Sequence, residues 1–233
     1  MGAREVSVIT SGLAWLADGA HWQGSDGIPL RVLEHLEITV LSVGIAAAVA
    51  LPIGMYLGHT GRLGFVAVNV ANLGRAFPSL SLLAFALPIS FALGLGLGFW
   101  PTAMAMVPLA LPPILTNAYV AIRQADRDTV EAARGMGMRE LQVLRIVEIP
   151  AGLPIVLAGL RTATVNVIAT ATLGALVAGG GLGRYIVDGL ALQDVERLVA
   201  GAVLVALLAM GTEAAFGLLE RASRHTLAVG REP

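Results

Sequence analysis

The chain has 233 residues, 56% of them hydrophobic and only 13% charged, with a mean hydropathy of +0.79. That balance describes a polytopic membrane protein and excludes an ordinary soluble domain. A net charge of −1 gives no reason to expect a nucleic-acid partner, the absence of cysteine excludes a disulfide framework or thiolate metal site, and all fifteen basic residues are arginine, so the ATP-binding GxxxxGK[ST] loop cannot be written here.

Residues 1–30 read as an extracytoplasmic segment. The run Val6–Ala17 is too short to cross a bilayer and lacks the flanks of a signal peptide. It reads as a short amphipathic helix on the outer surface, with Trp15 and Trp22 at the interface. The first span is expected over 36–57, about 33 Å of helix at 1.5 Å per residue, with a possible kink at Pro52. Gly54 and Gly58 have GxxxG spacing, but in a chain with 28 glycines that spacing is expected by chance. His59–Arg62 is the turn. A second, kinked span is expected at about 70–93, bent by Pro78 and Pro88, with Arg75 snorkelling near its boundary. The glycines at 94, 96 and 98 then turn the chain. The third span, 101–122, carries Pro108, Pro112 and Pro113, which fits either a helix lining a cavity or irregular packing alone. Thr116, Asn117 and Tyr119 near its end either contact solute or hydrogen-bond between helices.

The stretch 128–154, DTVEAARGMGMRELQVLRIVEIPAGLP, is a polar interlude between apolar blocks. It predicts two short helices. Asp128 is placed to cap the first, with Glu131 in capping-box register. Gly135 and Gly137 stop it. The second runs from about Met138 to Val147, with Leu141, Leu144 and Val147 on one face. Pro150 and Pro154 suit the first turn of the next helix.

Glu131-Ala132-Ala133, then Gly137, then Val147-x-Ile149-Pro150 resembles the EAA loop of ABC importer permeases. In that pattern EAA is followed by three residues, Gly, nine residues and Ile-x-Leu-Pro. The spacing matches over 131–150, with Val147 and Ile149 as conservative departures.

The fourth span, 155–177, is the most polar. Thr162, Asn166 and Thr170 share one face, which suits either a water-lined path or an interhelical hydrogen-bond seam. Arg161 sits at a depth from which it can snorkel. Gly179-Gly180-Gly181-Leu182-Gly183 resembles the outer loop of the osmoprotectant (glycine betaine, choline, carnitine) branch of the permease family, although methionine-type permeases carry a comparable loop. The fifth span, 198–219, holds a lone carboxylate, Glu213, and a polar tail follows at 221–233. With the N-terminus outside, nine arginines fall on inner segments and four on outer ones, so the positive-inside rule gives N-out, C-in.

The fold class expected is all-α, with about five transmembrane helices and a permease domain over 31–220 whose cytoplasmic coupling loop is 123–150. The resemblance implies a type I ABC importer permease of the bacterial or archaeal cytoplasmic membrane. It implies that Glu131, Ala132, Ala133, Gly137, Met138, Val147, Ile149 and Pro150 dock a separate ATPase, which binds ATP and magnesium, and that this chain needs no cofactor. The further partners implied are a second permease subunit, identical or paralogous, an extracytoplasmic solute-binding protein and the lipid bilayer. Asn117, Thr162, Asn166 and Thr170 are the candidate lining of the path. The alternatives are a permease for methionine or another amino acid, and a secondary transporter. The latter needs ion-coupling carboxylates and inverted repeats, and only Glu213 is a candidate. His21, His35, His59 and His225 are scattered without an HExxH or paired-acid motif, so no catalytic or metal residue is expected.

Overall fold

A chain immersed in lipid must satisfy its backbone internally, and helix is the way one segment can do so. The computed structural model describes residues 2–61, 69 and 77–229 and is helical nearly throughout. The elements are α1 (Gly2–Ala17), a 3-10 turn (Gly19–Trp22), α2 (Ile28–Thr60), α3 (Ser79–Ala92), α4 (Phe99–Arg123) and α5 (Arg127–Gly135). Then come α6 (Glu140–Gln142), a π-helical segment (Val143–Glu148), α7 (Ile149–Ala171), a 3-10 segment (Thr172–Val177), α8 (Gly183–Leu192) and α9 (Val195–Val229). Four helical stretches among the described residues are long and apolar enough to cross a membrane: Ile28–Thr60, Phe99–Arg123, Glu140–Val177 and Val195–Ser223. The shorter apolar α3 covers the later part of the expected second span. Residues 70–76 of that span, with Arg62, Arg75 and Arg231, lie outside the described residues.

The spans are longer than hydropathy predicts. The first begins at Ile28 rather than Leu36. Its charges do not break it, because Arg31 pairs with Glu34 one turn on at 2.8 Å and with Asp26. The last helix runs on through the expected polar tail to Val229. The third span gains two residues at its start, at Phe99, and one at its end, Arg123.

The chain divides into two compact units. One comprises Met1–Ser42, Pro78–Val107 and Asn166–Gly211. Its cluster of Ile28, Leu182 and Tyr185 is packed by Trp15, Leu16, Val32, Leu204, Val205 and Leu208. Trp15 therefore helps cover a core, while Trp22 is 49% exposed. The Tyr185 hydroxyl donates to the Asp26 carbonyl at 2.5 Å, and burial pushes the phenol above its ordinary pKa. The glycine-rich stretch after Val177 docks on α2, where the Gly181 N–H donates to Glu34 Oε2 at 2.7 Å. His35 Nε2 lies 2.9 Å from the Ile168 carbonyl oxygen.

The other unit comprises Val43–Phe77, Pro108–Val165 and Thr212–Pro233. Here the GxxxG pair is a true packing face, contrary to the expectation from composition. A Cβ on Gly54 would stand 2.7 Å from the Leu115 carbonyl oxygen, and one on Gly58 would stand 2.8 Å from the Tyr119 carbonyl oxygen. Small residues let α2 and α4 backbones approach this closely, which is how apolar helices associate without a hydrophobic driving force. Gly152 repeats the device on α7, against the Ala121 carbonyl at 2.8 Å. Arg161 has carboxylate partners within the protein. It bridges α7 to α9, 3.1 Å from Glu213 and 3.2 Å from Glu220, so Glu213 is not a lone carboxylate either. Pairing is what makes such charges tolerable in this setting.

Candidate coupling site

The polar interlude folds into a hairpin. Its first helix is capped two residues earlier than expected and starts at Arg127. Asp126, not Asp128, accepts the Thr129 N–H at 3.2 Å, and Asp128 lies in the first turn, where a carboxylate interacts favourably with the positive end of the helix dipole. Both aspartates had plausible spacing; the difference is which one keeps extended dihedrals. The stop is a Schellman motif centred on Gly137. Its N–H bonds to the Arg134 carbonyl at 2.9 Å, the Met138 N–H reaches the Ala133 carbonyl at 3.2 Å, and Gly137 has φ +83. Gly135 keeps an ordinary helical place as the last residue of α5.

The second helix of the hairpin does not end before Pro150. It passes from α6 through the π-helical segment straight into α7. A proline lacks the donor an α-helix needs and crowds the carbonyl four residues back. A wider π turn immediately before Pro150 relieves both conflicts. Pro154 consequently lies in the interior of α7 rather than its first turn. Val143 is fully buried against Val130 and Ala133, with Ala125, Met138 and Val147 around them, whereas Leu141 is 55% exposed.

Charges fasten the two arms. Arg134 holds Glu140 through two hydrogen bonds of 3.0 and 2.9 Å. That pairing raises the guanidinium pKa above its usual value. His59, in the last turn of α2, stands between two carboxylates of the hairpin. Its Nδ1 is 2.6 Å from Glu148 Oε2, and its Nε2 is 3.1 Å from Glu140 Oε2. Beside this cluster lies an open cleft of about 250 Å³ lined by His59, Arg123, Arg127, Glu131, Arg134 and Glu148, among others.

The expected docking residues divide by exposure. Glu131, Ala132 and Gly137 are exposed, Ala133 is buried in the hairpin core, and Met138, Val147, Ile149 and Pro150 are intermediate. Met136 at the turn is 78% exposed. Of the candidate path residues, Thr162 and Asn166 are exposed and Thr170 is intermediate. Thr162 donates to the Ala158 carbonyl of its own helix at 2.9 Å, so its hydroxyl is not spent on a neighbouring helix. Asn117 folds back to donate to the Pro113 carbonyl at 2.8 Å and packs where Gly159 leaves room, which joins α4 to α7 sterically rather than by a hydrogen bond. Sequence reasoning missed the His59–Glu148 contact. The two residues are 89 positions apart, and nothing local marks them as partners.

The chain belongs to the binding-protein-dependent transport system inner membrane component family, whose profile matches residues 50–225. It is 35% identical to the choline transport system permease protein OpuBB of Bacillus subtilis, over 82% of this chain and 86% of that protein. The carnitine transport permease protein OpuCB of Listeria monocytogenes is 37% identical, with 82% of this chain and 85% of that protein aligned. The osmoprotectant import permease protein OsmW of Salmonella typhimurium is 34% identical, over 76% and 82% respectively. Among solved structures, an inward-facing form of the MetNI methionine ABC transporter superposes with a TM-score of 0.74 at 22% identity, covering 82% of this chain and 93% of that one. A crystal structure of an amino acid ABC transporter with histidines gives 0.67 at 18%, covering 94% and 96%. The fold is that of the type I ABC importer permeases, and the chain is a multi-pass membrane component of an ABC importer.

Proposed function

We propose that this chain forms half of the translocation path for a small quaternary-ammonium osmoprotectant such as glycine betaine, choline or carnitine. The observation that carries the solute assignment is the agreement among relatives at 34–37% identity, whose names give choline, carnitine or osmoprotectant transport. The likeness to methionine and amino acid transporters is a likeness of fold. A second permease subunit completes the path, and an extracytoplasmic binding protein selects and delivers the solute. The hairpin faces the cytoplasm, N-out and C-in, in agreement with the arginine distribution. It is the docking element for a separate ATPase, through Glu131, Ala132, Ala133, Gly137, Met138, Val147, Ile149 and Pro150, and ATP and magnesium belong to that subunit. Thr162, Asn166 and Thr170 face the path, and Asn117 backs them. Exposure of Thr162 and Asn166 supports this reading over an interhelical seam within one chain.

The test is uptake by the reconstituted transporter, with radiolabelled glycine betaine competed by choline, carnitine and methionine. Competition by choline and carnitine and none by methionine is expected. Displacement by methionine alone would move the assignment to the amino-acid branch.

A further inference from the structure

We infer that His59 is a positioning residue that clamps the coupling hairpin to the end of α2, so that hairpin and α2 move as one body. The inference rests on the reading of the hairpin as the ATPase-docking element. Along the chain the hairpin has two connections to the spans. One is the short link 124–126 after α4, and the other is the π-helical segment before α7. A π turn departs from the regular α-helical ladder, so it is a poor stiff rod for transmitting a push. The clamp supplies a third connection, off the sequence. The Glu148 side chain is only 7% exposed and that of His59 11%, so the contact is largely shielded from water. A shielded carboxylate requires a partner, and losing that partner leaves an uncompensated charge.

The imidazole faces a carboxylate on each side, Glu148 at 2.6 Å and Glu140 at 3.1 Å. A ring protonated on both nitrogens donates to both at once. Glu140 in turn holds Arg134, so Glu148, His59, Glu140 and Arg134 form one chain that runs from the π segment through α2 to α5. Glu131, Arg123 and Arg127 line the cleft beside them. The α2 end of the clamp is itself anchored. Gly58, the residue before His59, packs on α4, where an added Cβ would meet Ile122 Cβ at 2.8 Å. A push on the hairpin therefore reaches α2 and α4 through the side-chain bridge as well as through the backbone.

The experiment uses the full complex of permease, ATPase and binding protein in proteoliposomes, and reads solute moved per ATP hydrolysed. His59→Ala is expected to lower this ratio at least about fivefold, the lower end of typical coupling between sites, while the co-purified ATPase is undiminished. His59→Arg, which places a planar donor between the same two carboxylates, is expected to recover most of it. Glu148→Ala should give the same loss, and the double variant should be no worse than either single one, because one interaction is being removed twice. A role confined to folding would lower uptake and hydrolysis together and leave the ratio where it was. That result, or losses that multiply in the double variant, would overturn the clamp. If the alanine variants fail to assemble, His59→Cys with Glu148→Cys in this cysteine-free chain can be joined by a short bis-methanethiosulfonate linker. Restored coupling on linking and renewed loss on reduction would support the clamp, and a formed link without restored coupling would refute it. Failure of the docking reading is distinguishable, because a Met136→Cys cross-linker would then capture no ATPase in the unaltered protein.

Discussion

Two regions of this chain collect glycine, and they use it for opposite reasons. In the hairpin, a Cβ on Gly137 would meet nothing within 4 Å, yet the backbone there has φ +83. In the stretch from Gly174 to Gly183 the limit is space, joined at Gly181 by a φ of +82. A Cβ on Gly183 would stand 2.6 Å from Thr172 Cα, and one on Gly179 would stand 2.6 Å from the Gly174 carbonyl oxygen. The first region needs a dihedral and leaves its outer surface open, as suits a part that meets another protein. The second needs bare backbone because it is packed into its own unit. Glycine content alone cannot distinguish these uses.

Alanine substitutions separate them by size and by sign. Gly183→Ala is expected to be the most damaging, at about 3 kcal/mol, the upper part of the usual overpacking range, because the obstructing atoms are backbone and cannot rotate away. Thermal unfolding of the detergent-solubilised protein and its yield in the membrane would register this. Gly137→Ala is expected to cost about 1–2 kcal/mol, the strain of a left-handed L-residue, with no steric part. A loss equal to that of Gly183→Ala would show that the turn is crowded after all. Gly135→Ala is expected to have the opposite sign, stabilising by about 0.5 kcal/mol, since Gly135 is helical with open space around it. Destabilisation measured in the same assay would contradict that distinction between neighbouring glycines.

The sequence revealed what is local. Apolar runs marked the spans, the spaced EAA pattern marked the hairpin, and Gly137 marked its turn. It concealed what depends on distant partners. The start of α2 at Ile28 was hidden because Arg31 and Glu34 look like a boundary until their pairing is seen. The packing face at Gly54 and Gly58 cannot be told from chance without α4 beside it. The burial of Val143 in place of Leu141 depends on Val130 and Ala133 of the other arm, which the pattern of one helix alone does not show. The pairing of Arg161 with Glu213 and Glu220, far along the chain, has no local mark. Of the site, the motif positions were legible and the charged bridge through His59 was not.

The central claim is that the hairpin is gripped from the cytoplasm by an ATPase. The direct measurement is labelling of Met136→Cys, a single cysteine in an otherwise cysteine-free chain, at a position that is 78% exposed. A membrane-impermeant maleimide should react in inside-out vesicles, fail to react in right-side-out ones, and be blocked when the ATPase is bound. Reaction from the outside, or reaction undiminished by bound ATPase, would contradict the account.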